Sequence, residues 1–540
     1  MKTVVLGFDG LDFRYLDRFE SSLPNFRALR ERGTETPLAS THPPWTGSAW
    51  PSLYTGTGPG HHGVYGFFTT DGYPDEARVV SRSDVRQPAL WDYLSSEGGR
   101  SVVLNVPVTH PVDPIDGAVV PGYLAPEDEP GYPEGVRGEL TESLGEPYRI
   151  YSRGETSDDL EEKFEGYLEV IDLRRRAAKT LLDERTWDLA FLQVQKTDAV
   201  FHHFDDDRRF EAIYKAADRF VGTVLEAVPE DVTVVVCSDH GIGPVTGYQI
   251  HVNEILREHG YLETVDDGGR SMPSIDKTSL EGDEGTNPAE PGGLERTFRA
   301  GRRVASRLGL EPADVYAAAK RVGLESTLTE LTPQSLTAAT GESVDWRRSR
   351  AYCPKGSQMG IRVNLAGREP DGVVSQSEYE SVREELITLL SSLETPDGNA
   401  AFDFVCRRER LYDGPHLEDA PDVCFLPTGM NHTVSSGLYR RRFVPVEKHD
   451  HKRAGVFIGA GPGFADDADV NGLSIVDVAP TVLGTLGRPV PSRMTGSVPD
   501  GLLSRRPDRA DYGEVSFGDR SSDVIEDEEV TERLEDLGYL

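Results

Sequence analysis

The chain has 540 residues, 92 of them acidic and 57 basic, for a formal charge of −35. A chain of this length buries a large core, divided among roughly two to four units. The acidic balance repels nucleic acid and anionic membranes at low salt, and no run is long and apolar enough to span a bilayer. Cys237, Cys353, Cys406 and Cys424 lie scattered without metal-type spacing, as small buried apolar residues do in a reducing compartment. The chain opens directly into a strand pattern, so a cytoplasmic location is expected.

From Thr3 to Phe8 the sequence is a continuous apolar run ending in Asp9-Gly10. That is the pattern of a buried parallel strand with a carboxylate at its C-terminal edge, where open α/β sheets bind ligands. A carboxylate there is as a rule a cap or turn former, so Asp9 by itself says little. Leu23 to Gly33 reads as a short helix with a glycine stop. In the stretch from Thr41 to Trp50 a helical apolar pattern begins (Ala49, Trp50, Leu53, Tyr54), which puts Thr46 near a helix N-terminus. Free amides and the positive dipole end make such a position an anion site, and Pro51 is compatible with a first turn. The plainer reading is an N-cap threonine before the Gly-rich segment that ends at Gly63.

Strands are expected over 101–106 and 117–122, then a surface excursion rich in Pro, Gly and Glu over 123–157. A helix over 158–182 places Arg174, Arg175 and Arg176 on a solvated face. A strand over 187–194 leads to Asp198, His202 and His203, and after a helix over 209–227 the strand 232–237 ends in Ser238-Asp-His-Gly241. This alternation predicts a doubly wound, mostly parallel α/β sheet with helices on both faces. The core is expected in two parts, 1–264 and 427–505. Between them fall a loop and helices at 265–343, with a helix over 295–323, and a smaller α+β insert at 344–426. The insert reads as a strand at 359–365, a helix at 378–393 and a strand at 423–426. A further core strand is expected at 455–463, a packed helix after Ser474, and a tail at 506–540 that closes in a short amphipathic helix docked on the core.

Asp9, the pair Asp198 and His202, and the pair Asp239 and His240 each follow a strand, and a fourth segment offers His449 and His451. Asp198 and His202 are four apart, so on a helical turn they face the same way. Each pair alone is ordinarily a structural contact; their joint placement at sheet edges is stronger. Carboxylate and imidazole together suit zinc or manganese better than calcium or magnesium.

The segments Gly7-Phe-Asp-Gly10, Thr46-Gly-Ser-Ala-Trp50, the run from Thr55 to Gly63, Thr197-Asp198 through His202, Ser238-Asp-His-Gly241, His451-Lys-Arg-Ala-Gly455 and Asp477-Val-Ala-Pro-Thr481 occur in order. With them the chain resembles the alkaline phosphatase superfamily, in its type I phosphodiesterase and nucleotide pyrophosphatase branch. The acidic, Arg-over-Lys composition resembles that of proteins from salt-loving archaea. The resemblance implies two divalent ions, zinc or alternatively manganese, one held by Asp198, His202 and His451 and the other by Asp9, Asp239 and His240 together with the Thr46 hydroxyl. It implies Thr46 as nucleophile, through a phospho-threonine intermediate, in a hydrolase of small-molecule phosphoesters. His203 and His449 are then spare, and His62 is structural. Ser48 stands where the family commonly has proline and is the rival nucleophile. The sulfatase segment Cys-or-Ser-x-Pro-x-Arg is absent. Arg362 and Arg368, in the insert, are expected either to meet a second phosphate or leaving group or to be plain strand-edge arginines. A phosphomonoesterase or phosphomutase of the same superfamily, or a metal-dependent binding protein without turnover, are the alternatives. No nucleic-acid signature and no membrane segment accompany these motifs.

Overall fold

The computed structural model describes residues 1–266 except 71, 342–518 except 467, 469 and 471, and residues 530, 531, 533 and 534. The strands that position the site are β1 (Thr3–Phe8), β2 (Thr34–Ala39), β3 (Ser101–Leu104), β4 (Gly117–Val120), β5 (Leu189–Val194), β6 (Thr233–Cys237), β7 (Gly241–Val245), β8 (Lys448–Lys452), β9 (Ala454–Ala460) and β10 (Leu473–Ser474). Eight of them form one sheet in the order β10-β2-β9-β6-β1-β5-β3-β4. From β6 to β4 every pairing is parallel. β9 runs against both of its neighbours, while β7 and β8 make a separate antiparallel ribbon.

After an opening threonine β1 and β6 are apolar because both faces of the sheet are covered, and all their residues are buried. Successive side chains alternate between the faces. Phe8 meets Phe26 of α1 (Pro24–Arg32) at 5.4 Å and Phe220 at 6.0 Å. Gly7 faces the other way, toward Trp50 of α2 (Thr46–Thr55), and a Cβ there would come within 2.6 Å of the indole ring. Asp9, in step with Gly7, therefore emerges on the side of α2. On the Phe8 face lie α3 (Leu160–Glu184) and α5 (Asp207–Ala227), which pack on each other; α4 (Lys196–His203) sits between them in sequence.

Three expectations are corrected. No strand was expected at 34–39, yet β2 pairs with β9 from Thr34 opposite Gly459 to Ala39 opposite Ala454. Its Glu35 and Pro37 hide the alternation, so the partner strand rather than its own composition makes it a strand. Residues 123–157 are not a surface excursion, because Tyr123, Leu124, Ala125, Tyr148, Ile150 and Tyr151 are all buried. The Glu127 carboxylate accepts from the amides of Ile150 and Tyr151, which folds the segment back on itself. Arg174 is not solvated: it is 3% exposed, and its guanidinium lies 4.8 Å over the Tyr148 ring and donates to the carbonyls of Arg149 and Ile150.

The insert is a four-stranded antiparallel sheet of Ala351–Tyr352, Gly360–Val363, Val423–Pro427 and Phe402–Arg407, with the helix Tyr379–Ser391 against it. The strand at Phe402–Arg407 had no counterpart in the sequence reading. The helix expected over 295–323 lies outside the described residues. Val530 and Leu534 are buried in the core cluster, and the four cysteines are free and buried. Among the described residues no helix is long and apolar enough to cross a membrane.

Gly7→Ala tests how tightly α2 seats on β1. The added methyl meets the Trp50 ring, so chemical denaturation is expected to show a loss of about 1–3 kcal/mol. An unchanged midpoint would contradict the close seating.

Candidate metal centre

Five segments converge at the C-terminal edge of the parallel strands. Asp9 leaves β1 with its amide on the Val194 carbonyl at 3.0 Å. Gly10 follows at φ 60°, and a Cβ on it would lie 2.8 Å from Asp198, so only glycine passes here. Its amide donates to Asp239 Oδ1 at 3.2 Å. Asp198 and His202 share one face of α4, with Asp198 Oδ2 and His202 Nε2 3.1 Å apart. Ser238 fixes the turn after β6 by donating to the Leu11 carbonyl at 3.0 Å and accepting from the Val456 amide at 2.8 Å. His451 arrives on β8, opposite Ile242 of β7.

The result is two triads, Asp198 with His202 and His451, and Asp9 with Asp239 and His240. Within each, one potential ligand atom per residue lies within 4.8 Å of the others. The triads share a wall: the His240 and His451 rings stack at 3.7 Å, and Trp45 lies 4.4 Å from His451. His202 Nε2 and His451 Nε2 approach to 3.2 Å. His240 and His451 each turn Nδ1 to a main-chain carbonyl, of Gly241 and of Pro44, both at 3.0 Å. That fixes the ring orientation and points Nε2 at the cluster.

Thr46 is the first residue of α2, and its hydroxyl donates to Asp9 Oδ1 at 3.2 Å. The Trp45 carbonyl takes the amides of Ser48 and Ala49, which leaves the Thr46 and Gly47 amides at the open end of the helix. Asp9 Oδ2 accepts from Trp50 Nε1 at 3.1 Å and Gln193 Nε2 at 3.3 Å. Neither Trp50 nor Gln193 was singled out from the sequence. The signal for Trp50 was its spacing, since a residue four after Thr46 on a helix faces the same way.

Electrostatics drive the carboxyls apart. Burial, then the charges of Asp239 and Asp198, push Asp9 well above its usual range. Burial and Asp198 do the same to Asp239. Burial opposes the charge on Asp198, but the imidazoles of His202 and His451 hold it below the ordinary value. Burial works against a charged His202, yet Asp198 raises it; burial and His240 lower His451. Asp198 Oδ1, Asp239 Oδ2 and His240 Nε2 are buried with no hydrogen-bond partner. Such orphans are rare; Asp239 Oδ2 and His240 Nε2 lie 3.3 Å apart and Asp198 Oδ1 lies 3.5 Å from His451 Nε2, a set of oxygen and nitrogen atoms that fits divalent cations.

The remaining sequence candidates fall elsewhere. Ser48 donates to the carbonyls of Pro43 at 3.0 Å and Trp45 at 3.2 Å, turned into its own loop. His203 bonds the Ala199 carbonyl and the Tyr167 hydroxyl, both at 3.0 Å. His449 sits among the rings of Phe201, Phe210 and Tyr15. His62 pairs with Ser52 Oγ at 2.8 Å. Arg362 and Arg368 are engaged within the insert: Arg362 on Glu369 and the carbonyls of Glu418 to Ala420, Arg368 on Asp422, Glu369 and the Val363 carbonyl. Their donors hold the insert together, as the strand-edge alternative of the two expectations describes.

The doubly wound sheet carries this cluster at the C-terminal edge of its parallel strands. The family model described as type I phosphodiesterase / nucleotide pyrophosphatase matches residues 3–307, and the chain belongs to that family. Phosphonoacetate hydrolase from Sinorhizobium meliloti, in complex with phosphonoformate, has a TM-score of 0.56 at 15% identity, covering 90% of this chain and 96% of that one. Human ectonucleotide pyrophosphatase/phosphodiesterase 5 has a TM-score of 0.51 at 12% identity, covering 94% and 100%. An inactive form of the murine protein of the same name, in complex with AMP, has a TM-score of 0.50 at 11% identity, covering 93% and 100%. At these identities the likenesses establish the fold. No curated protein matches the sequence.

The raised Asp239 carboxyl has a consequence for the chelated protein. A folded value above the usual 3.8 means that the folded state keeps a proton the unfolded chain gives up. Its stability contribution is full below about pH 4 and is lost as pH rises through the raised value. Asp239→Asn cannot ionise, so in chelator its melting temperature is expected to rise relative to the unsubstituted protein as the pH goes up from about 4. A difference that is flat with pH would contradict the raised value.

Proposed function

We propose that the chain hydrolyses small-molecule phosphoesters with the Thr46 hydroxyl as nucleophile and two divalent ions, zinc or manganese, held by the two triads. Asp198, His202 and His451 would hold one ion; Asp9, Asp239 and His240, with Thr46 Oγ1, would hold the other. The observation that carries this reading is the 3.2 Å hydrogen bond from Thr46 Oγ1 to Asp9 Oδ1, which sets the hydroxyl of the first residue of α2 against the candidate ligand cluster, whereas the Ser48 hydroxyl turns into its own loop. When bound, two cations about 4 Å apart lower the pKa of an alcohol and neutralise charge on phosphoryl and leaving oxygens.

The chain's own residues account for the rest. Trp50 and Gln193 hold Asp9 Oδ2, so Oδ1 is turned to Thr46 and fixes its rotamer. The Thr46 and Gly47 amides, at the positive end of α2, favour an anionic phosphoryl group. Thr46 Oγ1 gives up its proton to water and forms a bond to phosphorus as the ester oxygen leaves on the opposite side, taking a proton from water. Water then cleaves the phospho-threonine, freeing phosphate or a phosphomonoester and restoring the hydroxyl. Thr46 is 2% exposed and Asp9 is fully buried, which keeps bulk water from the attacking oxygen. Local positive charge from the ions offsets the acidic surface, which at about 1 M salt is screened within roughly 3 Å.

Thr46→Ala is expected to lower turnover of bis(p-nitrophenyl) phosphate by about 10³-fold or more, measured at molar salt with added zinc or manganese, while the three side chains of each triad still hold both ions without Thr46 Oγ1. A chelator is expected to abolish activity and either metal to restore it. Persistence of turnover in Thr46→Ala would refute the nucleophile. Comparison with p-nitrophenyl phosphate separates diester from monoester preference. Full metal loading with no hydrolysis of either ester would favour a binding protein.

A further inference from the structure

The ligand segments use the C-terminal ends of β6, β1 and β5. The same edge continues over β3 and β4, where the side chains are polar, buried and have no part in the site described so far. Asn105 follows β3, Tyr123 follows β4 and Gln195 follows β5; they are 2%, 4% and 8% exposed. Asn105 Oδ1, the Tyr123 hydroxyl and Gln195 Oε1 have no hydrogen-bond partner. Gln195 occupies the N-cap of α4, yet its side chain caps nothing. Asn105 Nδ2 donates to Gln193 Oε1 at 2.6 Å, and Gln193 Nε2 reaches Asp9 Oδ2 at 3.3 Å, so one chain of amides orients both Asp9 and Asn105. The Tyr123 hydroxyl lies in the field of Glu155, Asp9 and Asp198.

The backbone is held out of its preferred conformations at the same place. Among the described residues six non-glycine residues have positive φ, and Asn105 (63°), Val108 (58°) and Leu124 (73°) are three of them. The loops they belong to are tied by Asn105 N to the Val120 carbonyl at 2.8 Å and Val108 N to the Tyr123 carbonyl at 3.2 Å. For valine and leucine such values are true outliers, kept only where the surroundings enforce them.

We infer that Asn105, Tyr123 and Gln195 form a subsite for the alcohol part of the substrate, and that this part is a neutral polyol such as a sugar. The inference rests on the phosphoester reading and narrows its substrate class. Two amide oxygens only accept, and a phenol accepts or donates, so the ligand must bring several O–H or N–H donors, which a polyol supplies. Lys196, on the same helix as Asp198, is paired with Glu155. With that ammonium engaged, Lys196 offers no free cation to a second phosphate in this position.

The test is calorimetric binding to metal-loaded Thr46→Ala protein, with glucose 1-phosphate and ethyl phosphate as probes. Glucose 1-phosphate is expected to bind about tenfold tighter than ethyl phosphate. Adding Tyr123→Phe, or independently Gln195→Met, is expected to remove most of that advantage and to leave ethyl phosphate within about twofold. Equal affinity for the two probes, or equal weakening of both by each substitution, overturns the polyol subsite while the phosphoester reading stands. Binding of neither probe overturns both.

Discussion

Mutual repulsion among three buried carboxylates is the constraint on which this structure turns. Asp9, Asp198 and Asp239 are at most 1% exposed and lie close enough that each raises or opposes the charge of another. Two unit charges 4 Å apart repel by about 4 kcal/mol at the effective dielectric of such sites. A fold does not gather such groups by chance packing, and the surrounding residues work to keep them together. Gly10 clears the space beside Asp198, Ser238 fixes the turn that carries Asp239, and Trp50 with Gln193 grips one oxygen of Asp9. Divalent cations would relieve the repulsion, and Asp198 Oδ1, Asp239 Oδ2 and His240 Nε2 are candidate ligand atoms without a hydrogen-bond partner.

Topology explains how residues far apart in sequence meet. β6, β1 and β5 are adjacent and parallel, so the residues leaving their C-terminal ends emerge side by side. The ribbon of β7 and β8 returns His451 to the same edge, and α2, seated on Gly7 through Trp50, brings the Thr46 hydroxyl. An acidic chain and a phosphoester substrate would be compatible because the site's charge would be set locally, by ions that overcome the negative charge of the candidate ligands.

The parallel core was legible because strands buried on both faces have no polar alternation to confuse them, as in Thr3 to Phe8 and Val234 to Cys237. The spacing of Asp198 and His202 was legible because a helix turns that interval into a shared face. What escaped was determined by partners distant in the chain. β2 carries Glu35 and Pro37 and becomes a strand only against β9. The 123–157 segment reads as polar, yet its tyrosines are buried together and Glu127 satisfies its amides. Arg362 and Arg368 looked available until Glu369 and Asp422 came into view, with Tyr379 also on Asp422. Composition reports which groups are charged, and only the fold reports which of them are already answered.

Counting metal directly addresses the account at its centre. After equilibrium dialysis against zinc, elemental analysis of the full chain is expected to find two ions per molecule, falling to one when Asp198→Ala removes a ligand from the first triad or Asp239→Ala from the second. Fewer than two ions in the unsubstituted protein, or a count that neither substitution changes, would contradict it.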